Sequence, residues 1–224
     1  MNENIIEYLK TLITENRYKK IEEVIKNRTR YITVVLEDIY QPQNASAVLR
    51  TCDCLGIQDV YIIENKNKYN INPDVSLGSE KWLSIIKFNK NSFNTLEAIN
   101  YLKNKGYRII ATCINKNATS LENFDLTKGK IALLFGTELT GLTEQAISNA
   151  DECLYIPMFG FTESYNISVS AAIILYTLIT KLKNSSIKWQ LNEQEVFNIK
   201  IEWICKNLKK INIEKILSDF KNEK

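Results

Sequence analysis

Apolar residues recur at helical spacing at the start of the chain, first Ile5, Ile6, Leu9, Leu12 and Ile13, then Ile21, Val24 and Ile25, which predicts helices over 3–13 and 17–27. Past residue 30 the pattern changes. Short continuous apolar runs predict strands at 31–36, 59–63, 84–88, 107–112, 131–135 and 153–156, and the longer stretches between them predict helices at 44–55, 93–104, 143–149 and 166–183. This alternation gives an α/β fold: a mostly parallel sheet with helices on both faces. Helices at 192–208 and 213–221 complete the chain. The expected organisation is a helical N-terminal extension (1–30), an α/β domain (31–183) and a helical C-terminal extension (184–224).

Two of the predicted helices carry more information than their register. In the helix at 44–55, Asn44 is placed to cap the N-terminus, and Ala47, Val48, Cys52 and Leu55 form one apolar stripe. Arg50 lies about 200° from Val48 at roughly 100° per residue, so it points away from that stripe. It faces solvent, a ligand, another subunit, or Asp53 at i+3. Only five of the 29 basic residues are Arg, which marks each as a place needing a planar, permanently charged fork. The helix at 166–183 is apolar almost all round from Val169 to Tyr176, more than one packed face requires. Either its outer side meets a second subunit or the whole helix is internal.

Glycine and proline are sparse, seven and three in 224 residues, yet Gly136, Gly141, Pro157 and Gly160 fall close together after the strands at 131–135 and 153–156. Tight loops therefore leave the carboxyl ends of buried parallel strands, where α/β sheets bind ligands. Thr112, Gly136 and the segment Ile156 to Met158 lie on that edge. Gly136, Gly141 and Gly160 would let the backbone approach a ligand closely. The absence of Gly-x-Gly-x-x-Gly argues against a Rossmann-type dinucleotide site.

The chain contains no histidine, which excludes Ser-His-Asp and Cys-His catalysis and the His-metal hydrolases and oxygenases. Proton transfer is left to a carboxylate, Lys, Tyr, Cys or an unusual group. Five cysteines without a Cys-x-x-Cys pair predict neither a disulfide framework nor a zinc site, and no other metal is expected. The longest apolar stretch, 169–179, is broken by Thr177 and is far short of the roughly 20 residues that span a bilayer. With no signal-peptide pattern either, a cytoplasmic protein with reduced thiols and no membrane association is expected.

The net charge of +3 says little, but an acidic middle lies between two basic ends. Arg17, Lys19, Lys20, Lys26, Arg28 and Arg30 face only Glu22 and Glu23 within fourteen residues, which suits a phosphate backbone as well as a solvated helix face.

Three segments now align: Asn44-Ala45-Ser46-Ala47-Val48-Leu49-Arg50-Thr51-Cys52, Leu134-Phe135-Gly136-Thr137-Glu138-Leu139-Thr140-Gly141-Leu142, and Ile156-Pro157-Met158-Phe159-Gly160 leading into Ser164-Tyr165-Asn166-Ile167-Ser168-Val169-Ser170. In order, residue type and spacing they resemble the three motifs of the SpoU-type RNA ribose 2′-O-methyltransferases of the knotted SPOUT superfamily. The resemblance covers about residues 31–183. Gly78-Ser79-Glu80-Lys81-Trp82 and the short basic helices at both ends are similar to the branch that methylates guanosine 18 of tRNA. Tyr165 stands where the family usually has Leu, and Glu80 where it often has His.

The resemblance implies a deep trefoil knot, a homodimer, S-adenosylmethionine as cofactor and tRNA as substrate. It places Arg50 beside the reacting hydroxyl, with Asn44, Glu138, Ser164 and Asn166 orienting it, the substrate and the loops. It implies cofactor contacts from Thr112, Gly136, Gly141, Ile156, Met158, Gly160 and Tyr165, and RNA contacts from Arg17, Lys19, Lys20, Arg28, Arg30 and Lys81. Methylation of ribosomal RNA and a non-catalytic RNA-binding module remain as alternatives.

Overall fold

The computed structural model describes residues 2–114 and 117–208. The helix expected at 213–221 lies outside the described residues. The described residues divide into two compact units, one formed by both ends of the chain (2–28 and 190–208) and one by Thr29–Trp189. The two expected extensions therefore fold together, because their apolar faces complete one another.

In the larger unit, seven parallel strands form one sheet. They are β1 (Ile32–Glu37), β2 (Asp59–Ile63), β3 (Ser84–Phe88), β4 (Arg108–Thr112), β5 (Thr119–Ser120), β6 (Ile131–Phe135) and β7 (Glu152–Tyr155), in the order β3-β2-β1-β6-β4-β7-β5. Side chains alternate between faces with period two, and every residue of β1, β2 and β6 is buried. Val34, Leu36, Leu133 and Ile110 pack on the face covered by α3 (Pro42–Leu55) and α7 (Ile167–Lys183). Val35, Leu134, Ile109 and Ala111 pack on the face covered by α5 (Thr95–Asn104) and α6 (Glu144–Ser148). Burial on both faces is why these strands read as unbroken apolar runs.

Four short elements have no counterpart in the sequence reading: α4 (Pro73–Ser76), β5, and two 3-10 turns at Ser79–Trp82 and Leu121–Asn123. Each is at most four residues long, too short for a period to register.

The buried carboxylate of Glu37, at the end of β1, accepts hydrogen bonds from Thr95 Oγ1 (2.6 Å), Thr143 N (2.9 Å) and Thr143 Oγ1 (2.8 Å). It ties the starts of α5 and α6 to the sheet, and so anchors the loop that leaves β6.

The smaller unit packs α1 (Asn2–Thr11) and α2 (Glu15–Ile25) on α8 (Glu193–Asn207). Thr14 caps α2, accepting from Arg17 N at 3.3 Å, which starts that helix two residues before the expected position. Asn192 and Glu195 form a reciprocal cap on α8. Leu9, Ile21, Ile25, Ile199 and Trp203 are buried. Arg28 is buried too, only 1% exposed, with its guanidinium 5.0 Å from the Trp203 ring. Its placement corrects the expectation of an RNA-facing cation: this arginine is spent on the core of its own unit.

Candidate active site

The strand order reverses between β1 and β6, since the chain runs outward from β1 to β3 and returns on the other side through β4. Crevices beyond the carboxyl ends of strands next to such a reversal are where open α/β sheets hold ligands. A cavity of about 300 Å³ lies there. Its lining includes Thr112 and Cys113 after β4, Gly136 to Leu139 and Gly141 after β6, and Leu154 to Ile156 and Met158 at the end of β7. Glu163, Ser164 and Tyr165 close it from the loop before α7, and Ile167, Ser170 and Ile174 from that helix.

The loop after β6 is the most constrained part. Thr137 and Gly141 exchange both backbone hydrogen bonds at 3.0 Å. Inside the turn, Thr140 N donates to Thr137 Oγ1 at 3.1 Å. A Cβ on Gly136 would stand 2.2 Å from the backbone of Gly141 and Leu142, so only glycine fits. Gly141 has φ +68°, in the left-handed region. The turn projects Glu138 toward the cavity and Leu139 into solvent.

Glu138 is not left to its own rotamers. Asn44 Nδ2 donates to Glu138 Oε1 and, at 3.1 Å, to Gln41 Oε1, while Asn44 Oδ1 accepts from Asn166 Nδ2 at 3.1 Å. Asn166 Oδ1 caps α7, accepting from Ser168 N at 2.9 Å and Ser168 Oγ at 2.6 Å. With Asn166 Oδ1 occupied as an acceptor, its amide nitrogen is the end turned to Asn44, and that in turn sets which end of Asn44 meets the carboxylate. Three residues from three separate motifs thus form one directed chain ending at the cavity.

Asn44 does this from a position other than the expected one. Helix α3 begins at Pro42, with Gln41 as its flanking residue. Proline's missing N–H and fixed φ suit the first helical turn, so Asn44 sits inside the helix and its side chain is free for the network. The buried face of α3 also differs from the expected stripe: Ala45, Ser46, Val48, Leu49 and Cys52 are buried, while Ala47 and Leu55 are half-buried. Arg50 remains exposed, as its angular position predicts. It lies six residues beyond Asn44, about 9 Å along the helix at 1.5 Å per residue, and is not among the residues lining the cavity.

Of the other expected site residues, Thr112, Gly136, Gly141, Ile156, Met158, Ser164 and Tyr165 line the cavity. The Thr112 hydroxyl is engaged with Leu134 O at 2.7 Å. Gly160 is a correction. It is exposed, lies outside the lining, and a Cβ there would meet nothing closer than Thr162 N at 4.0 Å. Glu163 was not singled out from the sequence, and its only signal there is its place immediately before Ser164.

Arg17, Lys19, Lys20 and Lys81 are exposed. Lys19 and Lys20 pair with Glu15 and Glu23 on the surface, contacts too weak to withhold them from a polyanion. Arg30 belongs to the larger unit, where its Nε reaches both oxygens of Asp59 at 3.1 and 3.0 Å. Among the described residues no cluster of acidic, Cys or His side chains is placed to hold a metal, and no helix is long and apolar enough to cross a membrane.

Residues 31–176 match the model of the SpoU rRNA methylase family. The chain is 47% identical over 195 residues, 87% of each chain, to a tRNA (guanosine(18)-2′-O)-methyltransferase of Borreliella burgdorferi. It is 37% identical to the enzyme of that name from Thermus thermophilus, over 73% of this chain and 81% of the other. The crystal structure of the Aquifex aeolicus TrmH/SpoU tRNA modifying enzyme superposes with a TM-score of 0.77 at 31% identity, covering 88% of this chain and 98% of that one. Motif order, sheet, cavity and these likenesses agree: the chain belongs to the SpoU methylase family.

Proposed function

We propose that this protein transfers a methyl group from S-adenosylmethionine to the ribose 2′-oxygen of guanosine 18 in tRNA. The observation that carries the reading is the directed chain Asn166–Asn44–Glu138, which joins the first motif to a cavity lined by the second and third. The tRNA assignment draws on the 47% identity to an enzyme of that activity and on the excess of basic over acidic residues in both end segments of the chain.

The residues present fit the cofactor. Phe135, Leu154, Ile156 and Ile174 offer an apolar wall for an adenine. Gly136 and Gly141 bring backbone groups close enough to read its edge, and Glu138 and Glu163 give the cavity a charge opposite to that of a sulfonium and an ammonium group. Tyr165 supplies a wall where the family usually has a smaller aliphatic one.

When bound, the cofactor supplies a methyl group already activated by its sulfonium. The chain's task is to hold the ribose oxygen in line with it, which is a proximity effect. The Asn166–Asn44–Glu138 chain fixes an acceptor at the cavity mouth that orients the incoming hydroxyl. Arg50 clamps an RNA phosphate with its guanidinium fork and stabilises negative charge developing on the oxygen. Because it points off its own core, we assign it to the site of a second subunit.

A homodimer then follows as the active unit. Around α7 and the loops that close the cavity, Val169, Tyr176, Leu139, Phe159 and Phe161 expose apolar surface that a partner would cover. The reading further includes a deep trefoil knot in the segment carrying the second and third motifs, and a cytoplasmic location. It is tested by supplying tRNA transcripts with guanosine or 2′-deoxyguanosine at position 18, together with cofactor labelled in its methyl group. Label enters only the first transcript; equal incorporation into both would refute it.

A further inference from the structure

Cys113 and Cys153 lie on neighbouring strands with their sulfurs 3.0 Å apart, Cys113 donating its S–H to Cys153. Cys153 belongs to β7, and Cys113 follows the last residue of β4, its N–H still donating to Leu154 O at 3.1 Å. Both side chains are partly accessible and pack on the same face of the sheet, beside Ala111 and Leu134. Cys113 itself lines the cavity, between Thr112 and Ile114, which line it as well. Sequence spacing does not reveal the pair, because forty residues and two intervening strands separate the two positions.

We propose that Cys113 and Cys153 are a modification site: they close to an intramolecular disulfide, and the closed form binds the cofactor more weakly. The second half rests on the cavity being the cofactor site; the first does not. A disulfide needs its sulfurs about 2.05 Å apart, so closure draws them together by roughly 1 Å. Cys113 lies beyond the last residue of β4 and Cys153 within β7, so the movement falls on the strand end that forms the cavity wall.

The oxidant is a low-molecular-weight disulfide. The Cys153 thiolate attacks one of its sulfurs, breaking the S–S bond, forming a mixed disulfide and releasing one small thiolate. Cys113 then loses its proton to solvent and attacks Cys153 Sγ, expelling the second small thiolate. Two protein thiols lose two electrons, and the small disulfide gains them. Burial and the hydrogen bond to Cys153 push the Cys113 thiol up to about 12, so Cys113 is the thiol that keeps its proton at neutral pH. This gives Cys153 the first step. Cys54 is exposed and Cys52 and Cys205 are buried.

The test equilibrates the full-length protein with oxidised and reduced glutathione over a range of ratios, blocks remaining thiols, and maps linked peptides by mass spectrometry. S-adenosylmethionine affinity of each form is measured by titration calorimetry. The expected result is a Cys113–Cys153 link, affinity at least about 10-fold weaker, recovery with dithiothreitol, and no loss of affinity on oxidation in Cys153→Ser. Absence of the link under conditions that glutathionylate Cys54 overturns the modification site. A link with unchanged affinity overturns its effect on the cavity. Failure of the reduced protein to bind the cofactor overturns the cofactor assignment instead, while the mapped link still stands.

Discussion

Asn166 donates its side-chain amide to Asn44 Oδ1 across 3.1 Å, joining the cap of α7 to the first turn of α3 although 122 residues separate the two. Neither residue acts alone in this arrangement. Losing either one leaves Glu138 without its oriented donor, so each of Asn44→Ala and Asn166→Ala lowers kcat/KM for tRNA by about 100-fold. The double variant loses little more than either single one, since members of one unit are not additive. Measured rates of the four proteins form the cycle, and losses that multiply would contradict a shared function.

The turn after β6 has no room for a side chain at its first residue. Gly136→Ala places a Cβ 2.2 Å from the backbone of Gly141 and Leu142, where no flexible side-chain end can give way. The variant is destabilised by about 3 kcal/mol in urea unfolding and loses cofactor binding. An Ala variant with wild-type midpoint and affinity would refute the account of this loop.

Basic residues in the first thirty positions divide into two kinds. Arg28→Ala empties a buried site against Trp203 and costs about 3 kcal/mol of stability. Lys20→Ala leaves the unfolding midpoint unchanged but lowers tRNA affinity, and reduces the slope of log affinity against log salt by about 1. Titrations at several salt concentrations separate the two, and an unchanged slope would remove Lys20 from the RNA surface.

The sheet and its helices were legible because β1, β2 and β6 are buried on both faces and α5 and α7 are long enough for a period to show. The three motifs were legible as residue types at fixed spacing. The connection among them was not. Asn44 reads as a cap from its identity, and only the recognition of Pro42 as the first helical residue would have moved it inside the helix. Arg28 reads as surface charge because sequence does not reveal that Trp203, far along the chain, covers it. Gly160 reads as a close approach from its company, whereas the space around it is open.

Arg50 points away from the core that its helix covers and does not line its own chain's cavity. Arg50→Ala folds, keeps cofactor affinity and loses methyl transfer by at least about 100-fold. If each arginine serves the partner's site, mixing Arg50→Ala with Asn44→Ala subunits restores activity, since each mixed dimer regains one intact site. Mixtures no more active than either parent would place Arg50 in its own chain's site.

The central claim is that a single RNA sugar oxygen receives the methyl group. Incubating the protein with unmodified tRNA and cofactor carrying a heavy methyl group, followed by nuclease digestion and mass spectrometry, locates the label by nucleotide and atom. The account predicts one labelled 2′-O-methylguanosine, at position 18. Label on a base, on another nucleotide, or nowhere in the presence of bound cofactor would contradict it.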